Sequence, residues 1–240
     1  MTSPSANSTI GLLASGGLDS CILAGHLLRQ GYGVQPFYIR CGLLWEEAEL
    51  AALRAFLRAL NTPRLEGLVV FDLPLADLYG AHWSVDGHDA PDAESPDSAV
   101  YLPGRNALLG IKPAIWCAMH GIGELALATL AGNPFADATD EFFRDFQQAI
   151  DRATGSPVSI LRPFARLEKQ AVLQLGCGLP LELTFSCIVP SAGLHCGRCN
   201  KCAERQRAFR SAGFDDPTSY KSEQCSTSRV KSTSATGTGC

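Results

Sequence analysis

The chain has little charge and no strong excess of either sign. Of its 240 residues, 18% are charged and the formal balance is −4. That argues against a protein whose main task is gripping a polyanion, although a local basic patch stays open. No apolar run is long enough to cross a bilayer, so no membrane partner is expected. The N-terminal "MTSPSANSTI" has no basic segment followed by an apolar stretch, so no signal peptide is expected either. Internal repeats are absent. These absences bear on the ten cysteines, which in a secreted chain would suggest a disulfide framework. Their placement is uneven: Cys21, Cys41, Cys117 and Cys177 are scattered, while Cys187, Cys196, Cys199 and Cys202 crowd together. A cytoplasmic protein with one metal site is the better expectation.

What is present is core material. Apolar residues make up 46%, and the length suits one α/β domain or a domain with a small appendage. Strands are expected at Thr9 to Ala14, Val34 to Ile39, Leu68 to Leu73 and Glu124 to Ala131, with a short one in "VSILRPF". Between them lie helical patterns at Leu18 to Arg29, Glu46 to Leu60 and Ala107 to His120, in "DEFFRDFQQAIDRA" and in "LEKQAVLQLGCG". Alternating strands and helices imply a parallel sheet covered on its faces. Phe142, Phe143, Phe146 and Ile150 form an apolar stripe read as core. The acidic stretch Tyr79 to Val100 reads as a long surface loop, either a solvated connection or a lid. A charged helix is expected near Ala203 to Ser211, with Glu204, Arg205 and Arg207 on a solvated face. The expected organisation is a flexible N-terminus (1–8), an ATP-binding α/β domain (9–180), a metal-binding helical segment (181–221) and a disordered Ser/Thr/Gly-rich tail (222–240).

Two motifs carry chemistry. In "LLASGGLDSC" an apolar strand runs into Ser15, Gly16, Gly17, Leu18, Asp19 and Ser20 and then into a helix. Loop amides and the free N–H groups of a helix start make an anion site, and glycines allow close approach. Ser15 and Ser20 add hydroxyls. Asp19 repels phosphate but suits a bridging Mg²⁺. A plain capped turn is the bland reading. The second motif, C-x8-C-x2-C-x2-C from Cys187 to Cys202, suits one tetrahedral Zn²⁺ closed by four thiolates and therefore structural. Iron–sulfur is the minor alternative. His195, beside Cys196, is either near substrate or a surface histidine.

The string Ser-Gly-Gly-Leu-Asp-Ser resembles the PP-loop of ATP pyrophosphatases, which hold pyrophosphate and cut ATP between the α and β phosphates. Together with "YLPGRN" and the cysteine-bearing stretch from "RPFARLEKQ" to "DDPTSY", it resembles the 7-cyano-7-deazaguanine synthase family of the queuosine-precursor pathway. The resemblance covers most of residues 10 to 220. It implies ATP, Mg²⁺ and Zn²⁺ as cofactors, a deazaguanine carboxylate and ammonia as substrates, and homodimer formation. It also implies that Ser15, Gly16, Gly17, Leu18, Asp19 and Ser20 hold pyrophosphate and Mg²⁺, and that adenine lies against Phe37, Tyr38 and Ile39. Arg105 and Lys169 are the candidates for offsetting charge on phosphate and adenylate, with structural or solvated roles as their bland readings. Asn106 is expected to cap the following helix.

The substrate side departs from that family. "YIRCGLLWEEAEL" stands where a Tyr-Gly-Gln-Arg-His block is usual. "GNPFADATDEFFRDF" replaces a Tyr-Pro-Asp-Cys-Arg block and keeps only Asp137, Asp140, Phe142 and Phe143 in character. Two other readings stay open. One is a paralogue that adenylates another carboxylate, a protein, or a tRNA base thiolated through Cys21 or Cys41. The other is a non-catalytic zinc module that binds nucleic acid or protein.

Overall fold

A computed structural model describes residues 8–221. The expectations for the first seven residues and for the 222–240 tail lie outside the described residues. Five parallel strands form one sheet in the order β3-β2-β1-β4-β5. They are β1 (Thr9–Leu13), β2 (Gly33–Arg40), β3 (Val69–Asp72), β4 (Glu124–Ala126) and β5 (Ser159–Leu161). The helices are α1 (Leu18–Arg29), α2 (Glu46–Leu60), α3 (Ala76–Tyr79), α4 (Trp83–Asp86), α5 (Arg105–Met119), α6 (Asp140–Thr154), α7 (Lys169–Leu175) and α8 (Asn200–Ala212). The chain steps outward from β1 to β2 and β3, then returns to the other side of β1 for β4. The carboxyl ends of β1 and β4 therefore open a crevice where the strand order reverses.

Alternation along β2 divides the core. Phe37 packs with Cys117, Leu125, Phe143 and Ile150 on one face, and Tyr38 packs with Leu18, Leu50, Leu53 and Phe56 on the other. Successive side chains of a strand point to opposite faces, so both sides of the sheet need helices. In α2, Leu50, Leu53, Phe56 and Leu57 fall at helical spacing and are all buried. Each such burial contributes about 1.5–3 kcal/mol. Asn61 closes α2 in the left-handed region at φ 37. Thr139 opens α6 by accepting the Phe142 N–H.

Several expectations change. β4 ends at Ala126, because the segment after it peels away to line the crevice. Of the apolar stripe on α6, Phe143 and Ile150 are fully buried; Phe142 and Phe146 are only partly covered and stack on each other with centroids 5.8 Å apart. The stretch from Tyr79 to Val100 is a docked connection. Its Pro91 carbonyl accepts the Asn200 N–H at 2.9 Å, its Ser95 carbonyl accepts Asn200 Nδ2 at 2.7 Å, and Trp83 stacks on Trp45. Leu181, Ala208 and Phe209 join the core formed by β1 and α1, so residues 181–212 are sewn into the main body.

Candidate active site

The crevice at the carboxyl ends of β1 and β4 is a cleft of about 800 Å³. It is lined by the loop after β1, the end of β2, α2, residues 97–109, the segment after β4, and the starts of α7 and α8. Ser15, Gly17, Leu18, Asp19 and Ser20 all line it. The loop is held by its own serines. Ser15 N–H donates to Ser20 Oγ at 3.1 Å, Gly17 N–H to Ser15 Oγ at 3.3 Å, and Ser20 Oγ to the Gly17 carbonyl at 3.2 Å. Gly17 is the N-cap of α1 and makes no side-chain cap bond, so the helix start faces the cleft with free donors. Gly16 sits behind the loop at φ 80, and a Cβ there would stand 2.7 Å from the Glu49 carbonyl. Glycine is required on both counts.

Across the cleft, Lys169 at the start of α7 donates to Asp19 Oδ2 at 2.7 Å and to Oδ1 at 2.9 Å. Its ammonium also lies 3.2 Å from Glu204 Oε1, and Lys201 is 2.6 Å from Glu204 Oε2. Burial pulls the Lys169 ammonium toward neutrality, but the two carboxylates raise it above its ordinary value. Burial likewise pushes the Glu204 carboxyl up, and the two lysines more than offset that, holding it at about 2. Lys169 is thus neither solvated nor alone. Glu204, expected on a solvated face, belongs to the cleft, because α8 turns that side toward α7.

Arg205 is a second correction. It is 1% exposed. Its guanidinium donates to Thr218 Oγ1 at 2.6 Å, Thr184 Oγ1 at 2.8 Å and the Leu181 carbonyl at 3.0 Å, with Asp216 3.9 Å away. A buried cation survives only with such partners. Arg207 is exposed as expected, 3.9 Å from Asp97.

Arg105, the first residue of α5, lines the cleft with its guanidinium 5.9 Å from the Trp45 ring centroid. Its buried Nε has no partner among the described residues, which suits a group kept for a ligand. Asn106 is not the cap. Gly104 is, and Asp137 serves α5 from a distance: its carboxylate accepts the Asn106 N–H at 2.9 Å, and Asn106 Nδ2 donates to the Asp137 carbonyl at 2.9 Å. Tyr38 and Ile39 line the cleft, but Phe37 does not. Phe37 lies farther from the carboxyl end of β2 than Ile39 and is stacked on Phe71 inside the core, so its expected place beside a nucleotide is corrected to core.

Glu49 was missed. It lines the cleft beside Gly16, and Tyr38 Oη donates to its Oε2 at 2.9 Å. Burial raises its carboxyl to about 7, against the opposing pull of Arg105 and the Tyr38 hydrogen bond. The available signal was a carboxylate four residues before Leu53 and seven before Phe56, on the apolar face of α2. Tyr101 and Phe135, stacked with centroids 4.8 Å apart at the cleft, were also missed.

Cys187, Cys196, Cys199 and Cys202 are all buried, with sulfurs within 4.8 Å of one another. Cys187 to Cys199 and Cys196 to Cys202 are each 3.9 Å apart. Thiolates about 2.3 Å from one tetrahedral ion stand roughly 3.8 Å apart, so the set fits a single metal ion. Amides of Cys196 and Cys199 donate to sulfurs at 3.3 Å, and Gly197 makes the turn at φ 77. His195 is not a surface residue. It is buried, accepts the Ser186 N–H on Nε2 at 3.1 Å, and packs on Phe185; Ser186 and Phe185 both line the cleft. Cys21 and Cys41 are buried and do not line the cleft; burial raises both thiols, that of Cys41 to about 11. That weakens a thiolation route through either.

The family model described as "Queuosine biosynthesis protein QueC" matches residues 9–213. The chain belongs to the QueC family. The QueC match takes in both the loop after β1 and the cysteine cluster, and the sheet is the parallel α/β architecture that the strand and helix pattern led one to expect. Among relatives, the 7-cyano-7-deazaguanine synthase of a Nitratiruptor species is 29% identical over 220 residues, which is 88% of this chain and 98% of that protein. The synthase of Methanosphaerula palustris is 33% identical over 87% of this chain and 97% of its own length. The 7-cyano-7-deazaguanine synthase 2 of Sulfurisphaera tokodaii is 30% identical over 88% of this chain, a match that spans 47% of that longer protein. Among the described residues, no helix is long and apolar enough to cross a membrane.

Proposed function

We propose that this QueC-family chain converts 7-carboxy-7-deazaguanine and ammonia to 7-cyano-7-deazaguanine, using ATP and releasing AMP and pyrophosphate. The observation that carries the reading is the meeting of the Ser15–Ser20 loop, Arg105 and Lys169 in one cleft. That is an anion cradle and two cations placed for cleavage between the α and β phosphates.

A carboxylate is a poor electrophile. Its oxygen attacks the α-phosphorus, the bond to the β-phosphate oxygen breaks, and pyrophosphate leaves into the loop at the start of α1. Lys169 and Arg105 offset the charge that develops on the phosphate oxygens. Ammonia then adds to the acyl carbon, loses a proton, and AMP departs, leaving an amide. The amide oxygen attacks a second ATP in the same way. Departure of AMP with loss of two protons from nitrogen leaves the nitrile. Tyr38 and Ile39 are the strand residues against which adenine is placed. The cleft walls formed by Trp45, Tyr101 and Phe135 exclude water from the acyl-adenylate.

The loop's donor set, one carboxylate and two hydroxyls, is all oxygen, as Mg²⁺ requires. Bound there, Mg²⁺ supplies charge neutralisation on the triphosphate. Zn²⁺ is the assignment for the four cysteines, since sulfurs 3.9 Å apart suit one ion better than a cluster, which spreads its thiolates farther. Its role is structural, because four thiolates leave no open position. A cytoplasmic setting belongs to this reading, in keeping with four cysteines gathered as a metal set rather than spread as a disulfide framework. Ammonia enters free or from a partner, and a homodimer is the expected assembly.

Mass spectrometry of products from 7-carboxy-7-deazaguanine, ATP, Mg²⁺ and ammonia tests this reading. The amide and then the nitrile are expected, with AMP. AMP formation that never modifies the deazaguanine moves the chain to the second reading, an adenylating paralogue with another acceptor. The altered segments around Trp45 and Phe135 favour that second reading. ADP, or no turnover, overturns both.

A further inference from the structure

Lys169 bridges two carboxylates. Its ammonium donates to Asp19 Oδ1 at 2.9 Å and Oδ2 at 2.7 Å, and lies 3.2 Å from Glu204 Oε1. Lys169 and Asp19 are thus turned toward each other, so a phosphate taking the ammonium or a cation taking the carboxylate competes with this pair. The three groups come from three elements: Asp19 from the start of α1, Lys169 from α7 and Glu204 from α8. Lys201, one turn earlier on α8, holds the other oxygen of Glu204 at 2.6 Å and fixes its rotamer. The start of α8 is in turn pinned by Cys199 and Cys202.

We infer that Glu204 is a positioning residue: it keeps Lys169 in the cleft when Asp19 turns from that ammonium to a Mg²⁺ carried by the triphosphate. This rests on the ATP reading above. The physical argument concerns alternatives. With Glu204 present, Lys169 can release Asp19 and still be anchored by one carboxylate, while its freed donors turn to phosphate. With Glu204 removed, Asp19 is the sole carboxylate on Lys169, and a cation must break that pair outright. A largely buried charge resists losing its only partner. The helix carried by the cysteine cluster thereby enters the phosphate chemistry through one side chain.

The test compares wild type with Glu204→Gln and Glu204→Asp. Calorimetry measures binding of a non-hydrolysable α,β-methylene analogue of ATP, with and without Mg²⁺. Turnover to AMP is followed over a Mg²⁺ series, and melting is recorded. In Glu204→Gln the tightening of nucleotide binding by Mg²⁺ is expected to fall roughly tenfold. Metal-free binding should be unchanged or tighter, since a negative charge has gone. The Mg²⁺ concentration for half-maximal turnover should rise, the KM for ATP at saturating Mg²⁺ should change little, and Glu204→Asp should restore part of the effect. Glu204→Gln with the wild-type response to Mg²⁺ overturns the inference. So does an equal loss of binding with and without Mg²⁺ alongside lower melting, because that marks a merely structural residue. A wild type that binds no analogue under either condition overturns the ATP reading itself, and the inference with it.

Discussion

Lys169 Nζ lies 2.7 Å from Asp19 Oδ2, joining residues 150 apart in the chain. The pair connects the phosphate loop to the helix that precedes the cysteine cluster. Lys169→Met removes the cation but keeps most of the stem. The rate of AMP formation is expected to fall by about 10²-fold, the loss typical of one oriented charge in a transition state. Nucleotide binding should weaken far less. A quenched-flow measurement of AMP, set beside equilibrium nucleotide binding, separates the two. An unchanged rate counts against any role for Lys169 in the chemistry.

Glu49 gives a pH signature. Its carboxyl is raised to about 7 in the folded protein, from an ordinary value near 4.5. The groups facing it are Tyr38, Glu46 and Arg105. The protonated form is favoured by folding, so this contribution to stability is full below about pH 4.5 and is lost as pH rises through 7. Glu49→Gln mimics the protonated form and should flatten that part of the profile. The expected result is a variant whose advantage over wild type in urea midpoint grows between pH 5 and about 8. Parallel profiles would show that the carboxyl titrates normally.

The cysteine set is expected to hold one metal ion per chain. Cys199→Ser removes a ligand that is also the N-cap of α8. Elemental analysis should show metal content near zero, and melting should fall. The segment around α8 should become open to proteolysis, since binding energy at such sites is folding energy. Retained metal with unchanged melting would rule out a structural centre.

Arg205 should be among the most costly side chains to remove. Arg205→Met leaves Thr184, Thr218 and the Leu181 carbonyl without their buried donor. A loss of about 3–5 kcal/mol is expected in denaturant unfolding. A loss below about 1 kcal/mol would mean that water replaces the guanidinium at this place.

The helices at Leu18–Arg29 and Glu46–Leu60 were legible to the residue, because their apolar spacing and their ends are local properties. The turn at Ser15–Ser20 was legible for the same reason: glycines between an apolar strand and a helix mark a tight strand-to-helix turn without reference to the rest of the chain. The cysteines declared themselves by spacing. The early end of β4 was not legible. "ELALATLA" is apolar apart from Glu124 and Thr129, and only its neighbours in the cleft explain why the strand stops at Ala126.

The sequence by itself therefore determined the architecture, the glycine turn after β1 and the cluster of four cysteines, all of which depend on patterns a few residues long. Tertiary structure alone decided which charges meet. The sequence offers no clue that Lys169 would sit between Asp19 and Glu204, that Arg205 would be buried beside an exposed Arg207, or that Asp137 would serve the start of α5. Those pairings join separate elements across the sheet, and their energies depend on the burial that packing creates. Phe37 and Tyr38 show the same limit on one strand. Being adjacent in the chain, they point to opposite faces, and only the packing around them decides that Tyr38 reaches the cleft while Phe37 is enclosed in the core.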